Sequence, residues 1–564
     1  MEQKTLNDAK PSKEPKETPI AQELAKKQRD IGVAEFFAKN RHLLGFDNKR
    51  KALMTAIKEA VDNSLDACEE ANILPEIIVE VIDMQNDRFR VVIEDNGPGI
   101  VKDQIPKIFA KLLYGSKFHS MKQSRGQQGI GISAAVMYGQ LTTGRAAKIT
   151  STIGKNYPSN FVELMLDTQK NAPKVLKEEV VEWEKDHGTR VEIDLEATYQ
   201  KGNQSIDEYL KQTAITNPHA TIIYTTPKAE QIIFARSTDK LPKKPLEIKP
   251  HPYGVELGLM QKMLENTESR TLQAFLTAEF SRVGAGAAKT ICENSALLPN
   301  TKPKSLSREM IEKLMEGIKN TKLFSPPSDC ISPIGAETLK GGLKKEIEAE
   351  FYTSNTRPPA VYRGNPFQIE VGLAYGGNQS SEEPMRLLRF ANRVPLLFQQ
   401  SGCSTFKAIS GMNWRQYGLS QSQGSLPVGP VSVVIHIASV WVPFTSESKE
   451  AIAHYPEIIK EMRLGLQECG RELASYVRKK RKMKEQLERV NIFEKYLPIV
   501  AESIAYLSDT KMQELLADFQ KMVKKPEFQE QINTIDEEDQ KYKLGDYKED
   551  EEEEVKDKKG DSDE

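Results

Sequence analysis

Glu59, Asn63 and Asp66 stand at i, i+4 and i+7 of the stretch IKEAVDNSLD at residues 57–66. If that stretch is helical, the three lie within roughly 40° of one another, so a carboxylate, an amide and a second carboxylate share one stripe. Such groups can take a proton or hold a cation. Ile57, Ala60, Val61 and Leu65 form the opposite face, which is apolar and fit to pack on a sheet. A solvated helix is the plain alternative for this stretch alone. A second candidate is VVIEDNGPGI at residues 91–100. The β-branched runs at 77–81 and 89–93 predict two adjoining strands that end at Asp95. Gly97 and Gly99 allow backbone angles and close approaches that a Cβ forbids, and they leave the Asp95 carboxylate able to accept a hydrogen bond from a bound base. A third is GQQGIGIS at residues 126–133, leading into a helix-like run at 134–139. Its glycines expose backbone N–H groups just before a helix N-terminus, which together make a cradle for phosphate. Each stretch alone is weak, since Asp-Asn-Gly is a common turn. The three in this order are a strong joint signal.

In that order they resemble the GHKL ATPases, the superfamily of gyrase B, the Hsp90 chaperones, mismatch-repair MutL and the histidine kinases. From about residue 33 to about residue 505 the match narrows to the B subunit of type IIB DNA topoisomerase, topoisomerase VI. The resemblance implies an α+β multidomain chain: a GHKL (Bergerat) ATPase α/β sandwich, a helical helix-two-turn-helix insertion, and a transducer domain of βαβ type with a long C-terminal helix. It implies ATP and Mg²⁺ as ligands. Adenine is then read by Asp95 and Thr189, the latter in DHGTRVEID at 186–194, a turn into an alternating strand. Gly97 and Gly99 lie beside the base. The phosphates lie under Gly126, Gln127, Gln128, Gly129, Ile130, Gly131, Ile132 and Ser133, bordered by Ser116 and Lys117 of FAKLLYGSKF at 109–118. A solvent-facing lysine is the competing reading of Lys117. Asn63 is the one protein ligand of Mg²⁺, a hard ion that keeps several waters and needs no carboxylate cage. Glu59 is the general base that deprotonates the attacking water, and Asp66 supports the site through hydrogen bonds.

Length and composition limit the remaining options. At 564 residues the chain has room for three or four domains, and 38% hydrophobic residues supply ordinary cores. With 79 basic and 81 acidic residues the net charge of −2 neither supports nor excludes nucleic acid, because basic patches can be local. There is no apolar run long enough for a membrane span, and no signal-peptide core at the N-terminus. Cys68, Cys292, Cys330, Cys403 and Cys469 are scattered and never spaced as Cys-x-x-Cys, which argues a reducing compartment and no zinc site.

Along the chain, residues 1–30 read as a disordered extension, 31–228 as the ATPase domain and 229–325 as the insertion. Gly254, Gly258, Gly284 and Gly286 are expected to break its helices. GAGAAKT at 284–290 is not a P-loop, because Ala288 and Val283 stand where glycines are required. Residues 326–490 read as the transducer, with PPSDCISPIG, TRPPAVYRGNPF and LLRFANRVPLL as matching phrases and strands at 368–375 and 431–442. Residues 491–535 resemble a helical segment that docks the A subunit, and 536–564 form an acidic disordered tail. The basic run RKKRKMK at 478–484 reads as one face of a solvated helix. The segment at 33–46 resembles one that helps protomers embrace.

Lys449, in WVPFTSESKEA at 441–451, is far downstream of Glu59 and reaches a nucleotide only if the second domain swings onto the first. Near a γ-phosphate it gains roughly 1 to 4 kcal/mol of attraction, lost when that phosphate leaves. ATP and its products would then favour different arrangements. The family further implies double-stranded DNA as a partner, an A2B2 heterotetramer with a DNA-cleaving A subunit, homodimerisation on ATP binding, no membrane, and a cytoplasmic place with the nucleoid, or a nuclear one in a eukaryote. Three rivals remain: a histidine kinase, which needs a phosphoacceptor helix that His42 does not provide; an Hsp90- or MutL-like ATPase; and a non-catalytic meiotic scaffold, against which the intact Glu59, Asn63 and lid glycines argue.

Overall fold

The computed structural model describes residues 24, 25, 28, 31–116, 120–126, 129–446, 448–508 and 511–523. Lys117, Gln127, Gln128, the acidic tail and most of the N-terminal extension lie outside the described residues. Two compact units divide the described chain, Met1–Trp414 with Leu419–Cys469, and Arg415–Gly418 with Gly470–Glu564.

The first unit contains two sheets. In the first, eight strands run β5-β4-β3-β6-β2-β1-β7-β8. They are β1 (Glu76–Asp83), β2 (Arg88–Asp95), β3 (Ala147–Thr152), β4 (Ser159–Asp167), β5 (Ala172–Val181), β6 (Gly188–Glu196), β7 (Thr221–Thr225) and β8 (Gln231–Phe234). All neighbours are antiparallel except β1 and β7. The strand β8 falls beyond residue 228, so the first sheet extends past the domain boundary expected there.

After α1 (Val33–Lys39), the helix α2 (Lys49–Glu70) begins at Asn48, whose Oδ1 accepts the Lys51 N–H at 2.9 Å. Its apolar positions, among them Leu53, Ile57, Val61 and Leu65, are fully buried against the sheet. That packing fixes the direction of the polar stripe. Short α3 (Ile105–Ala110), then α4 (Gly131–Thr143) and α5 (Ile206–Thr216), complete the helical layer.

Four helices form the insertion around their own core: α6 (Leu257–Asn266), α7 (Leu272–Glu279), α8 (Ala285–Asn294) and α9 (Arg308–Asn320). Gly258 and Gly286 do not break helices; they lie in the first turns of α6 and α8, where the cost of glycine is about 1 kcal/mol and packing overrides it.

The second sheet has six strands: β9 (Phe351–Thr356), β10 (Ala360–Tyr362), β11 (Asn365–Tyr375), β12 (Arg386–Ala391), β13 (Val394–Pro395) and β14 (Val431–Ser439). Strands β12 and β14 are parallel with α11 (Ser404–Ser410) between them, the βαβ unit expected. β14 stops at Ser439, short of residue 442, where the Ser439 hydroxyl turns back to accept the Trp441 N–H at 3.2 Å. The helix α10 (Ala336–Glu346) packs between this sheet and α5, with Ile215, Leu339 and Leu343 in one core.

Helix α12 (Pro456–Ser508) runs through residue 490 without interruption, although the sequence places a domain end there. In the second unit, the part of α12 from Gly470 onward packs on the turn at 415–418, where Gly470 lies against the Tyr417 ring and any Cβ would meet it at 2.8 Å. Residues 478–481 are exposed, and α13 (Met512–Val523) follows. Among the described residues no helix is long and apolar enough to cross a membrane.

Candidate nucleotide site

One cavity of about 360 Å³ opens between α2, the ends of β2 and β6, the start of α4 and the loop after β14. Glu59, Asn63, Asp95, Gly99, Ser116, Gly126, Gly129, Ile130, Gly131, Ile132, Thr189 and Lys449 all line it.

At one end stands Asp95, last residue of β2 and register partner of Thr189 on β6. Its Oδ2 accepts the Ser64 hydroxyl at 2.7 Å, and its Oδ1 accepts the N–H groups of Gly97 at 2.9 Å and Thr189 at 3.2 Å. Burial nonetheless raises its pKa against the pull of those donors. The Ser151 hydroxyl donates to Gly188 O at 3.0 Å, so its 3.1 Å contact with the Thr189 hydroxyl is one in which threonine donates. Gly99 has φ +71° and a Cβ there would sit 1.9 Å from Thr152 O, so only glycine closes this wall.

At the other end, Glu59 and Asn63 lie under the glycines. A Cβ on Gly131 would fall 1.7 Å from Glu59 Oε2, and one on Gly126 would be 3.8 Å from Asn63 Oδ1. The bare backbone of α4's first turn therefore lies directly against the carboxylate, at a helix start, where N–H groups lack partners within the helix and the dipole is positive. Lys58 Nζ is 3.6 Å from Glu59 Oε1.

Lys449 Nζ donates to the carbonyl oxygen of Arg125 at 3.3 Å. The residue sits at φ +53°, and enclosure of its ammonium lowers its pKa, with Glu59 pulling the other way. No swing of the second sheet is needed to bring Lys449 to the cavity. The contact is already made. Beside it Lys51 of α2 pairs with Glu450 and lies over the Phe398 ring at 5.3 Å, a second tie between the two sheets' segments.

Three candidates do not face this cavity. Asp66 accepts Arg125 NH1 at 2.7 Å instead, because a buried guanidinium outcompetes water for the carboxylate. Gly97 serves Asp95 through its N–H, and the Ser133 hydroxyl donates to Ile130 O at 2.9 Å inside α4. Ser64 and Lys58 line the cavity and Arg125 adjoins it through the carbonyl that Lys449 meets; motif reading passed over all three. Ser64 lies within the quoted stretch and Arg125 immediately precedes Gly126, so adjacency was the available signal.

A polar helix stripe, a glycine lid over it and a carboxylate at a strand end, on an antiparallel sheet, define an ATPase domain of the GHKL class. Residues 48–199 match the family model "Histidine kinase-, DNA gyrase B-, and HSP90-like ATPase", and residues 326–489 match "Topoisomerase VI B subunit, transducer". Curated relatives named as the B subunit of type 2 DNA topoisomerase 6 are similar over most of their length. That of Methanosarcina acetivorans is 53% identical over 87% of this chain and 79% of its own. The one of Archaeoglobus fulgidus is 46% identical over 87% and 81%, and that of Pyrococcus furiosus 36% identical over 89% and 96%. The B-subunit of the DNA gyrase from Myxococcus xanthus aligns over 78% of this chain and 95% of its own, with 11% identity and a TM-score of 0.39. The chain belongs to the topoisomerase VI B subunit family, the ATPase subunits of a DNA topoisomerase.

Proposed function

We propose that the cavity binds ATP with adenine against Asp95 and Thr189 and its phosphates against the backbone of Gly126, Gly129 and Gly131. Glu59 takes a proton from the water that attacks the γ-phosphorus. Lys449 compensates charge on the γ-phosphate. Asn63 would hold Mg²⁺: with Asp66 engaged by Arg125 and Glu59 serving as the base, one amide oxygen is left on the α2 stripe, which suits an ion held mainly by phosphates and water. Bound there, the ion neutralises charge developing on the phosphates.

Coupled to a DNA-cleaving A subunit in an A2B2 assembly, ATP binding drives B-subunit dimerisation, which gates the passage of one duplex through another, relaxing and decatenating DNA. This work belongs in the cytoplasm with the nucleoid, or in the nucleus of a eukaryote. What supports the reading is the convergence of Glu59, Asn63, the lid glycines and Lys449 on one cavity. The test is ATP hydrolysis by the purified chain and by Glu59→Ala, with and without the A subunit and duplex DNA. The expected result is a rate that rises with both partners and is lost in Glu59→Ala. Hydrolysis indifferent to both partners would overturn the gating role.

A further inference from the structure

Between α2 and the second sheet runs a buried polar chain that the proposed hydrolysis leaves unused. Strands β12 and β13 are joined by Asn392 and Arg393, at φ +49° and +68°. A two-residue hairpin with both central residues at positive φ favours glycine at the second, and an arginine there is strained. Both terminal nitrogens of its side chain are engaged, while Nε is buried without a partner. Arg393 NH2 donates to Ser332 O at 3.1 Å and to Ser332 Oγ at 2.9 Å, while NH1 lies 3.7 Å from Glu69 Oε2. The Arg393 backbone N–H donates to His436 Nε2 at 3.0 Å, which fixes that ring with its Nδ1–H on Glu370 at 2.8 Å.

Glu69 is shared. It accepts both ends of the Arg125 guanidinium, at 2.6 and 3.0 Å, and His219 Nε2 at 2.8 Å. Burial opposes its ionisation, yet Arg125, His219 and Arg393 together hold its carboxyl well below the usual carboxylate range. Asn392 Nδ2 meanwhile donates to Ser124 O at 3.0 Å and to Ser439 O at 2.9 Å, tying the residue before Arg125 to the end of β14. The stretch of Ser124 and Arg125 thus carries two direct contacts from the second sheet and its loops, Asn392 on the Ser124 carbonyl and Lys449 on the Arg125 carbonyl, while Arg393 reaches it through Glu69 of α2, which Arg125 shares.

We propose that Asn392 and Arg393 are positioning residues for hydrolysis. By gripping the root of the lid they set the Arg125 carbonyl on which Lys449 rests, and so place the lysine opposite Glu59. This rests on the ATPase reading of the cavity.

The decisive variant is Arg393→Gly, which suits the backbone angle while removing the guanidinium. The expected result, read well below the variant's own Tm, is a kcat lowered about tenfold with the KM for ATP within about threefold. In a Lys449→Ala background the same substitution should have no further effect, since the positioned group is gone. An unchanged kcat, a full loss that persists in Lys449→Ala, or a loss that follows a lowered Tm would overturn the proposal. Should Arg393→Gly not fold, Asn392→Gly, at the other positive φ, is read by the same cycle. A wild-type enzyme that hydrolyses no ATP would overturn both readings, whereas a normal rate in Arg393→Gly overturns this one alone.

Discussion

At its Asp95 end the cavity is made from neighbours in one sheet and the helix upon it, whereas at its Lys449 end it is assembled from groups that two sheets bring together. Asp95, Thr189 and Ser151 sit on adjacent strands in direct register, and the carboxylate already holds three donors before any ligand arrives. Such an end is preorganised and has one arrangement. The other end rests on a lysine at positive φ, a single 3.3 Å bond to a carbonyl, and glycines in place of side chains. Binding and turnover therefore belong to different parts of the cavity. A ligand can bias the Lys449 end because its few contacts are replaceable, and it cannot bias the Asp95 end without breaking strand pairing.

One large effect separating the two ends is on affinity. Asp95→Asn removes the charge that its three donors point at and turns one acceptor into a donor, which costs roughly 1.5–3 kcal/mol, or about ten- to hundredfold in Kd for ATP. Calorimetric titration with a non-hydrolysable ATP analogue measures it, and an unchanged Kd would mean that the base is read elsewhere.

A smaller effect is one of stability, beneath the Lys449 end. Asp62 on α2 accepts the Tyr209 hydroxyl at 3.1 Å, and burial pushes its pKa up from 3.8 to about 6, with Lys58 opposing and Glu59 adding to the rise. A carboxyl with a raised folded-state pKa favours the fold below its unfolded pKa, and that contribution is lost as pH rises through the folded value. Wild-type stability should thus fall between about pH 4 and pH 7 by at most about 3 kcal/mol relative to Asp62→Asn, which keeps the acceptor for Tyr209 without the charge. Thermal melts of both proteins across that range check it; parallel curves would refute the assignment.

The legible and illegible parts of the site divide along the same line. Glu59 and Asn63 were readable because helical spacing alone puts them on one stripe, and Asp95 because a β-branched run ends at Asp-Asn-Gly. Asp66 belongs to that stripe too, but which cation takes it depends on Arg125, whose partners Asp66, Glu69 and Asn217 come from two helices. Lys449 was identifiable only through a family phrase, and no local pattern shows that its loop already touches the lid. The Asn392 and Arg393 turn was hidden for another reason: Asn-Gly is the usual signal for such a hairpin, and arginine in the second place disguises it. In the insertion, Gly258 and Gly286 mislead because each stands exposed in a first turn, while Met260 and Leu264 or Ala288 and Ile291 bury the apolar face of the helix.

The central claim is that Lys449 acts on turnover from a position it already occupies. The measurement that tests it most directly is kcat for ATP hydrolysis by Lys449→Ala, alongside its Kd for a non-hydrolysable analogue, with the A subunit and DNA present. The account predicts a kcat lowered by about two orders of magnitude and a Kd within about fivefold of wild type, as expected for a group that meets the reacting phosphate rather than the base. A wild-type kcat, or a loss confined to Kd, would contradict it.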